Sequence, residues 1–135
     1  MLSGLMKKIF GDKNERAMKD IWPLVEEINA EYEKLSGLTD DELKAKTAEF
    51  KDKLAEDTKE LRDKIQELHD AITSDDFDGD RHKIYDELDE LNEALDDQYE
   101  ATLDEILPQA FAVVKDTCRR LVGKSWDAAG NKIEW

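Results

Sequence analysis

Four groupings in this chain carry residue types that chemistry could use. The first is SDDFDGD, residues 74–80. Set as a calcium loop with Gly79 at the sixth place, it puts Asp76, Asp78 and Asp80 at the third, fifth and seventh. Ser74 then takes the first place and Tyr85 the twelfth, where a bidentate glutamate is required, so the run predicts a solvated turn that caps the next helix. The second is the pair His69 and His82. A two-iron helical site wants a glutamate three residues before each histidine. Gln66 and Gly79 stand there, and both histidines are expected at the surface. The third is Gly123-Lys124-Ser125. A phosphate-binding loop needs a glycine five residues before Gly123, but that position is Cys118, and the tripeptide follows a helix rather than a strand. It reads as a helix C-cap. The fourth is Cys118 itself, a single thiol with no histidine that the pattern places beside it, expected to pack inside a helical face. No catalytic, cofactor-binding or metal-binding constellation is predicted.

The N-terminal MLSGLMKKIF allows a different kind of activity. Leu2, Leu5, Met6, Ile9 and Phe10 share one helical face, flanked by Lys7 and Lys8. An apolar face with a basic flank suits a lipid surface or a membrane partner. The composition also suits a terminal helix folded onto its own body, or a frayed end, and on the residues alone that is the favoured reading.

The elements that must position these groups are helical. Gly11 breaks the first segment, and Asp12 with Glu15 starts a helix to about Leu35, with Ile21, Leu24, Val25 and Ile28 apolar and a kink expected at Pro23. Gly37 closes it. Thr39 and Glu42 form a capping box, with Leu38 and Leu43 as hydrophobic staple. Apolar residues then recur at Leu43, Phe50, Leu54, Leu61, Ile65, Leu68 and Ile72, a heptad seam. Glu42–Lys46, Glu49–Lys53 and Glu60–Lys64 are spaced to pair along it. After the turn at 74–80 a second seam runs through Ile84, Leu88, Leu91, Leu95, Tyr99 and Leu103. Two seams joined by a short turn predict an antiparallel helical hairpin, each arm about 40 Å or longer at 1.5 Å per residue. Pro108 ends or kinks the hairpin. A further helix from it is expected to bury Phe111, Val114, Cys118, Leu121 and Val122, and to stop at Gly123. The tail from Lys124 to Trp135 has a Gly130–Asn131 turn between two tryptophan-bearing flanks, which allows a small β-hairpin.

The expected fold class is therefore all-α: an elongated, kinked N-terminal helix, a long antiparallel helical hairpin and a further C-terminal helix. The segments are 1–38, 39–105, 106–123 and an irregular tail 124–135. The net charge of −15 is concentrated in the second segment. Residues 39–105 hold 9 basic and 25 acidic groups, net −16. Phosphates would be repelled along that length, which argues against nucleic acid as a partner. One cysteine excludes an internal disulfide and suits a reducing compartment. No run approaches the ~18 apolar residues a membrane span needs, and no signal peptide is expected.

Two blocks resemble the N-terminal region of the SecA family, the ATP-driven motors of bacterial preprotein translocation. KLSGLTDDELKAKTAEFKDKL, residues 34–54, is similar to that family's Leu-Ser, Asp/Glu-Glu-Leu, Lys-Thr-x-Glu-Phe pattern. ILPQAFAVVKDTCRRLVG, residues 106–123, is similar to its Pro-Glu-Ala-Phe-Ala-Val-Val-x-Glu-Ala pattern, with Gln109 and Asp116 where the family has glutamate. IFGDKNER, residues 9–16, also fits. The acidic hairpin from about Ala55 to Asp104 looks like a lineage insertion. The family's adenine-reading glutamine motif and phosphate-binding loop do not occur among these residues, so the resemblance assigns no ATP-binding residue here.

What the resemblance implies is a non-catalytic N-terminal segment of a motor that moves preproteins through the Sec channel, with the reading frame continuing past Trp135. ATP and magnesium are implied for the parent, as are unfolded preproteins. The implied location is cytoplasmic, peripheral to the inner face of the cell membrane. It also implies channel and acidic-lipid contact through Leu2, Leu5, Met6, Lys7, Lys8, Ile9 and Phe10. The segments 12–54 and 106–123 would pack on the first nucleotide-binding domain, and alone would self-associate through uncovered apolar faces. The alternative is a free-standing helical adaptor whose acidic hairpin binds a basic protein.

Overall fold

The computed structural model describes residues 13–74 and 77–134. Among them are four helices and one two-stranded antiparallel sheet: α1 (Lys13–Lys34), α2 (Asp40–Asp57), α3 (Lys59–Thr73), α4 (Arg81–Leu121), β1 (Ser125–Ala128) and β2 (Asn131–Glu134). The mostly helical class follows from the heptad and capping signals in the sequence. No described helix is long and apolar enough to cross a membrane. The described residues divide into two compact units. One comprises those through Thr39 together with those from Pro108 onward; the other is Asp40–Leu107.

The Asp40–Leu107 unit is the hairpin. α2 begins immediately after Thr39, where the capping box places it. Side-chain bonds move inward from Lys53–Glu105 through Thr102–Asp57 to Arg81–Ile72, so the arms run antiparallel. Leu43, Ile72 and Leu88 are buried, and the seam residues between them are half-buried. Burying side chains of this size stabilises by roughly 1.5–3 kcal/mol each.

Three features of this unit differ from the sequence expectation. The first arm is not one helix: it is interrupted at Thr58, which is fully buried. Its hydroxyl donates to the Leu54 carbonyl at 2.7 Å, a back-bond that bends helices. Arg62 Nη2 reaches the Ala55 carbonyl at 2.8 Å across the same break. Leu103 is exposed, and the neighbouring Thr102 is buried instead. Thr102 earns that place by donating to Asp57 Oδ2 at 3.1 Å, which satisfies its hydroxyl without water. Lys46 pairs with Glu49 at 2.6 Å and Lys53 with Asp57 and Glu105, both at 2.9 Å. Of the predicted pairs, Glu60–Lys64 forms, at 2.7 Å.

The turn before α4 caps it, as its composition suggested: Asp80 Oδ1 accepts the backbone N–H of His82 at 3.1 Å. Asp75 and Asp76 lie outside the described residues. No cluster of potential metal ligands exists among the described residues, and His69 and His82 are exposed.

In the other unit, α1 runs through Pro23 to Lys34. Gly37 does not take the left-handed conformation expected of a helix stop. The chain closes through backbone bonds from Leu35 to Tyr32 and from Leu38 to Leu35, at 3.1 and 3.0 Å. Pro108 does not begin a new helix either; it lies within a single 41-residue α4. It removes one backbone donor, but the ladder resumes on both sides. Gly123 has φ 77 and ends α4, as predicted. The tail forms a hairpin with Trp126 opposite Ile133. Its turn is centred one residue earlier than expected, on Ala129 (φ 50) and Gly130 (φ 79), both left-handed, as a two-residue turn between twisted strands demands.

Candidate docking surface

The C-terminal third of α4 buries a carboxylate and leaves several large apolar side chains exposed. Its inner face carries Ala112, fully buried, and Asp116, 1% exposed. Ala112 has no bulk beyond Cβ, so a neighbouring backbone can come close. Asp116 is held by two guanidiniums. Arg119 donates from Nε and Nη2 to Oδ1 at 2.9 and 2.7 Å, and Arg120 from Nε to Oδ2 at 2.7 Å. Arg120 Nη2 goes on to the Leu38 carbonyl at 2.7 Å, fastening the end of the α1–α2 connection to α4. Burial pushes the Asp116 carboxyl up, but the Arg119 and Arg120 bonds outweigh it and hold the group below the ordinary carboxylate range. Lys115 adds a bond to Asn29 Oδ1 at 2.6 Å and stands over the Tyr32 ring at 4.2 Å. Lys115 thus joins α4 to α1, and Arg120 joins it to the connection that follows α1.

The opposite face of the same helix carries Phe111, Val114, Cys118, Leu121 and Val122 at heptad spacing. These are the residues expected to be buried. Instead Phe111 is 55% exposed, Val114 59% and Val122 71%, while Cys118 and Leu121 are half-buried. The reason is that the Asp116–arginine cluster, with Ala112, takes the inward side, and a helix has only one side to turn inward. Met18, Ile21 and Trp22, at i, i+3 and i+4 on α1, are each about half exposed. Trp126 and Ile133 form a cross-strand pair that is partly uncovered. Scattered exposed apolar residues are ordinary; the number of large ones in this unit makes it the candidate docking surface.

Sequence reasoning counted Ile21 but passed over Met18 and Trp22, although the Met18–Ile21–Trp22–Val25 spacing signals the stripe. It named Asp116 only as a departure from the family pattern and gave it no structural role, because a charged residue inside an apolar pattern gives no sign of which face it occupies. Leu2, Leu5, Met6, Lys7, Lys8, Ile9 and Phe10 lie outside the described residues.

Gly123-Lys124-Ser125 runs from the end of α4 into β1, the reverse of the strand–loop–helix order that cradles phosphates, so these residues do not fit ATP.

Comparison with known proteins gives this arrangement a family. The model of the SecA DEAD-like domain matches residues 6–127. A protein translocase subunit SecA from Salinibacter ruber is 45% identical over 96% of this chain and 13% of its own length. Those from Prosthecochloris aestuarii and Phocaeicola vulgatus are 37% and 43% identical, over 97% and 84% of this chain. The chain spans only 10–13% of the length of these relatives. No solved structure matches. With the family model covering nearly all of it, the chain belongs to the SecA family.

Proposed function

We propose that this chain is the non-catalytic N-terminal segment of an ATP-driven motor that moves preproteins through the bacterial Sec channel. The observation that carries the reading is the outward apolar face of α4. Phe111, Val114 and Val122 are displayed by a helix whose other side is locked by Asp116, Arg119 and Arg120. Such a face needs a cover. The part of the motor that would bind ATP and magnesium, beyond this stretch of sequence, supplies one. Relatives that extend far past the matched length support that reading. The β1–β2 hairpin fits it too: two strands alone are marginal in water and gain from further strands or a helix beside them.

In this reading the chain performs no reaction. It anchors the helical hairpin to the motor core, while Leu2, Leu5, Met6, Lys7, Lys8, Ile9 and Phe10 contact acidic lipid or the channel. The parent acts on unfolded preproteins at the cytoplasmic face of the membrane, without nucleic acid. Expressed alone, the 135 residues self-associate through the uncovered face; sedimentation velocity showing only monomer across a wide concentration range contradicts that.

A second reading, a free-standing adaptor with the acidic hairpin binding a basic protein, is favoured by one observation: residues 40–107 form a compact unit of their own. The natural reading frame separates the two. Continuation past Trp135 into a glutamine motif and a glycine-rich Lys-Thr loop supports the motor. A stop there, with native protein near 15.6 kDa, supports the adaptor. Flotation on anionic liposomes with and without residues 1–10 tests the lipid contact; equal flotation removes it.

A further inference from the structure

The interruption at Thr58 leaves a concavity in the hairpin unit of about 180 Å³, lined by Lys51, Leu54, Ala55, Thr58, Arg62 and Tyr99. We propose that it is a recognition pocket for a polypeptide segment presenting one apolar side chain beside one carboxylate.

The lining fixes both halves of that description. Leu54, Ala55 and the Tyr99 ring are apolar, and the Thr58 hydroxyl is already spent on the Leu54 carbonyl. The lining therefore favours an apolar group. Among the basic residues of α2 and α3 the two cations are the exception. Of the six lysines on α2 and α3, Lys44, Lys46, Lys53, Lys59 and Lys64 each hold a carboxylate. Lys51 is the one that pairs with none of the described carboxylates. Arg62 also has no carboxylate partner among the described residues; one of its N–H groups is fixed on the Ala55 carbonyl, which holds the guanidinium across the break. Two uncompensated cations converge on one apolar hollow, in a segment whose net charge is −16 from 9 basic and 25 acidic groups.

The size and charge select the class of occupant. Sites for small molecules usually hold about 300–1,000 Å³, so this one takes a single side chain. Nucleic acid and anionic lipid are repelled by the acidic arms. Screening over a Debye length of about 8 Å lets the two local cations act on a nearby carboxylate, while an acidic run would meet the rest of the hairpin. The occupant thus carries one carboxylate in an otherwise uncharged or basic context. This surface belongs to the hairpin alone and does not depend on how the α4 face is covered.

The test uses the isotope-labelled 135-residue chain and a capped peptide containing phenylalanine followed by aspartate between glycines, with amide shifts as readout. The proposal predicts saturable shifts at Leu54, Ala55, Thr58 and Tyr99. Binding should weaken about fivefold or more in Lys51→Gln, or when the peptide's aspartate becomes asparagine, as loss of a charge-assisted bond implies. Ala55→Leu, a substitution at an exposed helix position, should fill the hollow and abolish the shifts while leaving the rest of the spectrum unchanged. The absence of saturable shifts overturns the proposal. So does equal binding of the asparagine peptide, equal binding by Ala55→Leu, or shifts distributed over lysines throughout the chain.

Discussion

Arg120 grips the buried Asp116 carboxylate through Nε at 2.7 Å and with Nη2 holds the Leu38 carbonyl at the same distance. One side chain thereby ties a buried charge to the backbone of a connection 82 residues away in sequence. The cluster decides which way α4 faces, because a buried carboxylate must stay beside its cations.

Replacing Asp116 with alanine should destabilise the chain by roughly 2 kcal/mol, the scale for losing charge-assisted bonds at a buried acceptor. Arg119 is more than half exposed and can re-solvate, which keeps the loss below that of a fully buried triad. Urea unfolding followed by helical circular dichroism measures this. A loss under about 0.5 kcal/mol, the level of an ordinary surface change, shows that the cluster is not a fastening.

The same cluster sets an acid limit. The Asp116 carboxyl is depressed in the folded chain relative to its ordinary value of 3.8. Its contribution is therefore complete above that value and disappears as pH falls through the lower, folded-state value. Melting temperature should hold steady from neutral pH to about pH 5 and fall below about pH 4. In Asp116→Asn the drop should be shallower. An identical acid profile in the variant contradicts the assignment.

The two faces of α4 should respond oppositely to substitution. Ala112→Leu forces bulk against a fully buried position and should cost about 1–3 kcal/mol. Phe111→Ala, at 55% exposure, should cost the isolated chain under about 1 kcal/mol, well short of the 3–5 typical of a core phenylalanine. The reversed order would restore the face expected from periodicity.

Much of this fold was legible in the sequence, and where it was not the reason is physical. The hairpin seams, the start of α2 after Thr39, the Asp80 cap and the Gly123 stop are local signals, and local physics decides them. The outward turn of Phe111 and Val114 is not local. Heptad spacing says that a face is apolar, not what covers it, and Asp116 announces itself only when Arg119, Arg120 and Leu38 are seen around it. Thr58 and Thr102 escaped for the same reason, since each is buried through a bond to a specific acceptor. The terminal turn shifted by one residue because Ala129 adopts a left-handed conformation that its type does not advertise.

Asp57 reports the base of the hairpin. Its carboxyl is lowered chiefly by Lys53 and further by Thr102, against the effect of burial. Thr102→Val should raise it while leaving the Lys53 contact in place. A carbon-detected titration of the Asp57 carboxyl measures the shift; an unchanged midpoint removes the Thr102 hydroxyl from the account.

Ala129 gives a stabilising change. Its φ of 50 is unfavourable for alanine by about 1 kcal/mol, and asparagine tolerates it better. Ala129→Asn should strengthen the Trp126–Ile133 cross-strand contact, seen as a larger nuclear Overhauser effect, and Gly130→Ala should weaken it.

The central proposal is that sequence of a longer SecA-family protein covers the outward face of α4. Its most direct measurement is thiol alkylation of Val114→Cys in a Cys118→Ser background, compared at low concentration between the chain ending at Trp135 and the polypeptide continued in its natural frame. The thiol should react readily in the short chain and roughly tenfold or more slowly in the long one, because burial removes it from the reagent. Equal rates in the two would contradict the account.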